Sequence, residues 1–197
     1  YNIARDRIID SAVMTDRQLV SQLNDRLGQV ENVADTMQFQ MYSLNHSSSN
    51  KVDALKKFTT VKNNISLYKS TFDFFHIYVF LQPDQLGSKE GLYFFSTDEL
   101  STYGLDKNTV SGSDFSSVWI PVSNMPLPTI LSAKKSSADV ILCVRALKNQ
   151  ATGILEYAYG IALDTSELTT YLQPASLDSC IYSYILTDQG QIVAQNT

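Results

Sequence analysis

The sequence contains few of the residues from which enzyme and metal sites are usually built. Its 197 residues include 2 histidines and 2 cysteines. We find no nucleophile elbow, zinc-binding helix, phosphate-binding loop or paired His and Cys arrangement, and so few histidines leave little scope for an acid–base site. We therefore predict that this segment is not an enzyme and that it holds no catalytic residue, metal or cofactor.

Basic residues and long apolar runs are scarce as well. The chain has 15 Lys and Arg against 20 Asp and Glu, a net charge of −5, and charged residues make up only 18% of it. Because a nucleic-acid binder needs a face dense in Lys and Arg, we predict no nucleic-acid partner. No stretch approaches the roughly 18 apolar residues of a transmembrane helix, and no signal peptide opens the chain.

The two cysteines do not form a recognisable motif. Cys143 and Cys180 each lie inside an apolar run, and their separation fits neither a metal-ligand spacing nor a CxxC redox pair. Two interpretations stay open. They are either buried free thiols that pack as small hydrophobic residues, or a disulfide between two strands.

The most regular stretch is residues 1–46, which the spacing predicts to be one long amphipathic helix. It contains no Pro and a single Gly, Gly28, and at 1.5 Å per residue it measures roughly 65 to 70 Å. Apolar residues recur in a heptad pattern at Val20, Leu23, Leu27, Val30, Ala34, Met37, Met41 and Leu44. Asp6 and Asp16 weaken the pattern in residues 1–19, so we expect this half to project. The chain starts in mid-helix without an initiator Met, so we also expect it to belong to a longer protein.

A second helix and two strands follow. A polar breaker at residues 45–50 precedes a helix that begins at Lys51 and folds back as a short helical hairpin. Residues 72–81 are an aromatic and β-branched run too continuous for a one-sided strand, which predicts a central strand buried on both faces. Residues 91–95 form a second strand, and we expect the two strands to make a hairpin.

Residues 96–137 are rich in Ser, Thr, Asn, Gly and Pro and have no strong periodicity. Such a stretch indicates a functional loop region or undetected short helices, and the sole tryptophan, Trp119, lies within it. Beyond it, strands are predicted at residues 140–147, 154–163, 180–186 and 192–194. A helix of about eight residues follows Asp164 and stops at Pro174. Antiparallel strands with helices on one side, without βαβ alternation, predict an α+β fold.

Several segments occur in a recognisable order. They are the long N-terminal helix, the aromatic strand Phe75–Val79, the loop region around Trp119, the strand 141–147 with Arg145, the segment Gly153–Asp164 and the helix that starts at Ser166. This order resembles the extracytoplasmic Cache domain of bacterial transmembrane receptors, and most of all the double-Cache sensors of membrane histidine kinases. The resemblance covers nearly the whole chain in order and pattern rather than in strict signatures.

The resemblance implies a long N-terminal helix packed on a PAS-like antiparallel sheet. Residues 1–70 would hold the long helix and the short second helix. Residues 71–174 would form a membrane-distal PAS-like ligand-binding module. Residues 175–197 would begin a membrane-proximal module, which is truncated here.

The resemblance also implies an extracytoplasmic domain of a cell-membrane protein, placed between two transmembrane helices that this chain lacks. The distal module would hold a small molecule between its sheet and the irregular region. The long helix would carry the signal to the membrane, and its heptad pattern independently suits coupling and a homodimer. The implied output is a two-component sensor histidine kinase rather than a chemoreceptor.

Five residues are candidates for contacting the ligand: Trp119, Arg145, Tyr157, Tyr159 and Tyr93. Tyr157 and Tyr159 share one face of their strand, and Arg145 on the adjacent strand could face them, which makes an aromatic and cationic cluster. Trp119 offers a flat apolar wall with one donor. Structural alternatives stay open, namely core packing for Trp119 and a surface position or a structural cation–π pair for the cluster.

One position departs from the family pattern. The amino-acid-binding branch carries an Arg two residues before the pocket Trp, where its guanidinium grips a ligand carboxylate. Here that position is Ser117. This disfavours an α-amino acid held in that way and favours a neutral or differently anchored ligand, or none.

Two other functions stay open. The first is a non-ligand-binding dimerisation or interaction module with a coiled-coil stalk, which a filled hydrophobic interior beside Trp119 would favour. The second is an enzyme that uses carboxylates alone. This function stays open because catalytic carboxylates have no characteristic spacing by which the sequence could identify or exclude them.

Overall fold

The computed structural model describes residues 2–46, 51–86, 91–112, 116–128, 137–173 and 183–195. The helices are α1 (Asn2–Asn45), α2 (Lys51–Phe72), α3 (Pro83–Leu86), α4 (Lys107–Ser111) and α5 (Thr165–Leu172), with a 3-10 helix at Thr97–Tyr103. The strands are β1 (His76–Leu81), β2 (Phe94–Ser96), β3 (Val118–Pro126), β4 (Ser137–Lys148), β5 (Leu155–Asp164), β6 (Tyr184–Leu186) and β7 (Ile192–Gln195). The chain divides into two units, Val30–Asp164 and a second one made of Tyr1–Gln29 with Thr165–Thr197.

The unit Val30–Asp164 contains a five-stranded sheet in the order β2-β1-β5-β4-β3. Neighbouring strands are antiparallel except for β1 and β2, which are parallel. The predicted hairpin of the first two strands is therefore wrong, because a tight turn cannot join parallel strands and α3 lies in their connection. The predicted α+β class, with a long N-terminal helix on a mainly antiparallel sheet, is confirmed.

Helix α1 has nearly the predicted length, but its buried stripe begins later than expected. Within the unit Val30–Asp164, its buried apolar residues are Val30, Val33, Ala34, Met37, Met41 and Leu44. Earlier stripe positions are not buried in the same way, since Val20 is 53% exposed and Leu23 and Leu27 are half-buried. Only the second half of the predicted stripe therefore contributes to the core of this unit.

Helix α2 runs to Phe72, where the sequence predicted a strand. Asp73, directly after the helix, has a left-handed φ of 51°, and the amide of Phe74 donates to the carbonyl of Lys69 at 3.2 Å. The aromatic residues at this end of the helix look like a strand because aromatic side chains favour strands. The strand itself begins at His76 and is buried on both faces, as predicted.

The irregular region contains two short helices and a strand. The 3-10 helix begins with a capping box formed by Ser96 and Glu99, and Asp106 caps α4. These helices agree with the expectation of undetected short helices, whereas strand β3 was missed. β3 is an edge strand that contains Pro121 and Pro126 and has an irregular register after Val122, features that hide a strand from pattern-based prediction.

Alternation along the strands gives the sheet two different faces. Arg145 is paired with Tyr159, and Cys143 is paired with Trp119 on one side and Ile161 on the other. Directly paired residues point to the same side of a sheet, and this side faces α1. We call it the α1 face. The opposite side is covered by the 3-10 helix and α4, and we call it the short-helix face. Its buried residues include Tyr78, Phe80, Leu142, Val144, Ala146, Ala158 and, from the covering segments, Leu100, Leu105 and Val110.

The short-helix face is closely packed at Gly160. A Cβ added at this glycine would lie 2.9 Å from the side chain of Leu142 on the neighbouring strand. Any larger residue at position 160 would therefore force Leu142 to move.

In the other unit, helix α5 begins directly after β5 and buries Leu168 and Leu172, so the predicted helix is confirmed. Strands β6 and β7 pair antiparallel, as expected for the final hairpin. Arg26 of α1 forms an ion pair with Glu167 of α5, at 2.7 Å between Nε and Oε1. The predicted stop at Pro174 and the start of the strand at residue 180 lie outside the described residues.

Cys143 is a buried free thiol, and burial raises its pKa to about 12. The free-thiol interpretation is therefore confirmed for Cys143, whereas Cys180 lies outside the described residues. No helix within the described ranges combines the length and the hydropathy needed to cross a membrane.

Replacing Met37 by Ala tests the buried face of α1. Met37 is fully buried, so we expect Met37→Ala to lower the free energy of unfolding by about 2 to 4 kcal/mol, through lost burial and a residual cavity. The matched control is Phe39→Ala two residues further on, because Phe39 is 77% exposed and its loss should cost less than about 0.5 kcal/mol. Urea unfolding monitored by tryptophan fluorescence measures both. Equal losses would show that the buried face is misassigned.

Candidate functional site

Arg145 on β4 is the centre of a polar cluster on the α1 face. Arg145 is 8% exposed, and its guanidinium reaches two carboxylates that lie one helical turn apart on α1. Nη1 donates to Asp35 Oδ1 at 2.6 Å, and Nη2 donates to Glu31 Oε2 at 2.8 Å. Nε donates to Ser117 Oγ at 2.8 Å. All three nitrogens of the guanidinium therefore have a protein partner.

The edge strand joins the same cluster through Ser117 and Trp119. The Ser117 hydroxyl donates to Glu31 Oε2 at 2.5 Å, and the Trp119 indole N–H donates to Glu31 Oε1 at 3.1 Å. Trp119 is therefore a residue of strand β3 that faces α1, and not a residue of an irregular loop. Ser117 lies beside Arg145 of the next strand.

The two tyrosines of β5 extend the polar contacts along α1. The Tyr159 hydroxyl lies 2.8 Å from the carbonyl oxygen of Ala34 and 2.9 Å from Gln38 Oε1, and it shares its proton between them. Gln38 Nε2 donates to the Tyr157 hydroxyl at 3.0 Å. The predicted proximity of Arg145, Tyr157 and Tyr159 on one face is confirmed by the strand register.

The electrostatics keep these groups in their ordinary charge states. Burial alone lowers the pKa of Arg145, but the hydrogen bonds to Asp35 and Glu31 outweigh it and the net pKa is raised. Burial raises the pKa of Tyr157 to about 12, and it raises that of Tyr159 further. At neutral pH the cluster is thus a guanidinium cation held by two carboxylates and surrounded by neutral hydroxyls.

Sequence reasoning missed the helix side of this cluster. Glu31, Asp35 and Gln38 follow the apolar stripe of α1 at the same steps of four and three, displaced by one position. This parallel polar stripe is the signal that could have indicated a polar contact beside the apolar one.

Tyr93, the fifth candidate, lies apart from the other four. Its ring stacks on His76 with centroids 5.1 Å apart, and the ring of Tyr78 meets His76 edge-on at 4.7 Å. His76 Nε2 donates to the carbonyl of Leu92 at 2.7 Å, whereas its buried Nδ1 has no partner among the described residues. Burial lowers the pKa of His76 to about 4, and the positive charge of Lys69 acts in the same direction.

The short-helix face carries a different cluster, made of four aromatic rings. The Tyr103 ring, from the 3-10 helix, is half-buried and contacts the rings of Phe95, Tyr78 and Phe80 at centroid distances of 4.9, 5.5 and 5.6 Å. The Tyr78 hydroxyl donates to the carbonyl of Pro126 at 2.9 Å. The buried cluster on this face consists of hydrophobic side chains.

The polar groups do not form a metal centre in the part of the chain that the structure describes. There, no group of three His, Cys, Asp or Glu side chains is arranged to hold a metal ion. The α1 face thus offers ionic and hydrogen-bonding contacts that connect a helix to a sheet. The short-helix face offers an aromatic and aliphatic surface.

No protein-family model matches the sequence, and no curated protein matches it. Among solved structures, the chain is similar to the sensory domain of the Campylobacter jejuni chemoreceptor Tlp3 with isoleucine bound (TM-score 0.42, 12% identity, covering 93% of this chain and 73% of that one). It is also similar to the ligand-binding domain of the same receptor in complex with L-valine (TM-score 0.45, 11% identity, 93% and 73% coverage). Both are ligand-binding sensory domains of that receptor.

Replacing Arg145 tests whether the cluster holds α1 to the sheet. Arg145→Met keeps the length of the side chain but leaves Glu31 without its counter-ion, so we expect the free energy of unfolding to fall by about 3 kcal/mol. Asp35→Asn is the control, because the Asp35 side chain is 69% exposed and such an ion pair contributes less than about 1 kcal/mol. Urea titration compares the two. Losses below about 1 kcal/mol for both variants would argue against a structural tie at Arg145.

The buried imidazole of His76 predicts a pH dependence. Its pKa of about 4 in the fold lies below the ordinary histidine pKa of 6.5, so the unfolded chain binds more protons between these values. Stability is therefore complete above about pH 6.5 and falls as the pH approaches 4, by at most about 3 kcal/mol. Urea midpoints at pH 7, 5.5 and 4.5 measure this slope.

The control for this prediction is His76→Gln, which keeps a donor for the Leu92 carbonyl and does not titrate. Its unfolding free energy should vary less with pH over the same range. If the wild type and this variant lose stability in parallel, another group is responsible.

Proposed function

We propose that this chain is the extracytoplasmic small-molecule-sensing domain of a membrane receptor, in which α1 passes ligand occupancy towards the membrane. The observation that carries this proposal is that one sheet contacts two different elements. Its short-helix face packs on the 3-10 helix and α4, and its α1 face is bonded to the long helix through Arg145, Trp119 and Tyr159.

The alternation of side chains makes the two faces respond together. On β4, Val144 and Ala146 point to the short-helix face, and Arg145 between them points to α1. Because packed interiors are dense, a displacement of this strand that accommodates a ligand on one side also moves the guanidinium on the other. This mechanical connection between the two faces supports the proposed sensor function.

We propose that the ligand is uncharged and mainly apolar and that it contacts the short-helix face next to Tyr103. The aromatic rings of Phe95, Tyr78 and Phe80 supply apolar contacts there, and the buried residues of the core cluster on this face are apolar, which favours an apolar ligand. Tyr103 is half-buried and belongs to a short 3-10 helix, so it is the member of the ring cluster with access to solvent.

For Trp119, Arg145, Tyr157 and Tyr159 we propose a role in passing the signal, because their hydrogen-bonding groups are engaged with residues near or on α1. A direct ligand contact by these residues, and by Tyr93, stays a prediction. The screen below distinguishes the two roles.

For the whole protein, we propose flanking transmembrane helices, a homodimer through the N-terminal helix and a sensor histidine kinase as output. The division into residues 1–70, 71–174 and 175–197 belongs to the same proposal. These statements rest on the resemblance of the sequence to double-Cache sensors. Autophosphorylation of the full-length receptor, measured with and without a compound that binds this domain, tests the kinase output.

A thermal-shift screen tests ligand sensing. The panel contains small uncharged compounds such as indole, p-cresol and aliphatic alcohols, together with sugars, peptides, amino acids and organic acids. A ligand at a concentration about 100 times its Kd stabilises the fold by about 2.7 kcal/mol, which raises Tm by several degrees. We expect a hit among the uncharged compounds that is lost in Tyr103→Ala and kept in Phe39→Ala.

Other outcomes of the screen have distinct meanings. A shift that survives Tyr103→Ala but disappears in Arg145→Met would place the ligand on the α1 face, as the sequence predicted. A panel without any hit would contradict ligand sensing.

A module without a ligand is the second candidate function. It is favoured by the short-helix face, where buried side chains such as Leu142, Met125 and Tyr78 pack against one another and Gly160 admits no Cβ without movement of Leu142. In that case the ionic cluster would serve only to hold α1 as a dimerisation stalk. A panel without hits, combined with a dimer in sedimentation analysis, would support this alternative.

A further inference from the structure

We infer that Glu31 is the positioning residue that fixes the place of α1 along the sheet. Its carboxylate accepts three hydrogen bonds from two neighbouring strand segments: Ser117 and Trp119 on the β3 side, and Arg145 on β4. The functional meaning of this inference rests on the proposed sensor function. A helix that reports on the sheet must be held at one defined position.

The apolar contacts of α1 do not define that position by themselves. Its stripe repeats at steps of three and four, so a slide of the helix by one turn brings apolar residues to apolar positions again, for example Met41 to the place of Met37. Hydrophobic burial is not directional and changes little in such a slide. A directional contact is needed to select one register.

The polar contacts accept only one register. A slide of four residues in one direction would bring Leu27, which has no acceptor, to the place of Glu31. A slide in the other direction would bring the shorter Asp35 there, with Phe39 in the place of Asp35. Either shift would leave donors of Arg145, Ser117 or Trp119 unpaired, and a buried unpaired donor is costly. Buried polar contacts are known to select the register of packed helices in this way.

Glu31 carries this role more than Asp35 does. The Asp35 side chain is 69% exposed and accepts one bond in the cluster, whereas the Glu31 side chain is 36% exposed and accepts three. An exposed ion pair is screened by solvent and exchanges easily with water. Asp35 is therefore the natural matched control, because it is a carboxylate on the same face of the same helix.

Spin-label distances measure the position of α1 directly. We place nitroxide labels at Phe39→Cys on α1 and Ile154→Cys before β5, both exposed positions, with Cys180 replaced by Ser. Cys143 stays, because it is buried and its raised thiol pKa, about 12, prevents labelling. Pulsed electron resonance then gives the distance distribution between the labels with either Glu31→Gln or Asp35→Asn added.

Glu31→Gln should broaden the distribution or add a second population displaced by about 5 Å, which is one helical turn. Its amide places a donor among three donors, so at least one bond must break. Asp35→Asn should keep the parent distribution. A Glu31→Gln variant with lower Tm but an unchanged distribution would show a merely structural role and overturn the inference. Equal changes in both variants would overturn it as well.

Ser117→Ala provides a milder variant in case Glu31→Gln does not fold. It removes one donor and keeps the ion pair between Glu31 and Arg145, and it should broaden the distribution to a smaller extent. Its control is Ser123→Ala at an exposed position on β3. An unchanged distribution in Ser117→Ala would also overturn the inference.

The measurement requires no ligand, so its failure is distinct from a failure of the sensor proposal. An altered distribution together with a ligand screen without hits would keep the role of Glu31 and remove ligand sensing. A ligand hit together with an unchanged distribution would keep ligand sensing and remove the role of Glu31.

Discussion

The structure of the unit Val30–Asp164 depends on one cation held between a helix and a sheet. The guanidinium of Arg145 cannot lie at this interface without counter-charges, because an unpaired buried charge costs several kcal/mol or more. Glu31 and Asp35 supply these charges from α1, and Ser117 supplies an acceptor from the edge strand. This requirement fixes which turn of the helix lies opposite β4, and it brings β3 into the same contact.

The two faces of the sheet are held by different kinds of contact, directional polar bonds on one face and non-directional apolar packing on the other. On the α1 face, polar contacts set position, and the apolar stripe of the helix supplies most of the burial. On the short-helix face, aromatic and aliphatic side chains pack against one another. A receptor domain built in this way would separate the place where a ligand acts from the place where the helix is held.

Much of the fold follows from local sequence patterns, and the exceptions have identifiable causes. The spacing of apolar residues predicted α1, α5 and the strands β4 and β5. The end of α2 was missed because its terminal aromatic residues also favour strands. Strand β3 was missed because its prolines and irregular register interrupt the alternation, which an edge strand tolerates and a central strand does not. The pairing of β1 with β2 was mistaken because the choice between parallel and antiparallel neighbours depends on the path of the chain between them.

The sequence by itself determined helices α1 and α5, strands β4 and β5, and the grouping of Arg145 with Tyr157 and Tyr159, because these follow from periods of 3.6 and 2 residues along the chain. The tertiary structure alone decided what this group faces. Glu31 and Arg145 are 114 residues apart, and no local pattern relates them. Trp119 was likewise predicted in a loop, but the structure pairs it with β4, and this register directs its indole N–H to Glu31 of α1. Contacts of this kind arise only when whole elements pack against one another. For this reason Trp119, Arg145 and Tyr159, which the sequence indicated as ligand contacts, form hydrogen bonds to α1.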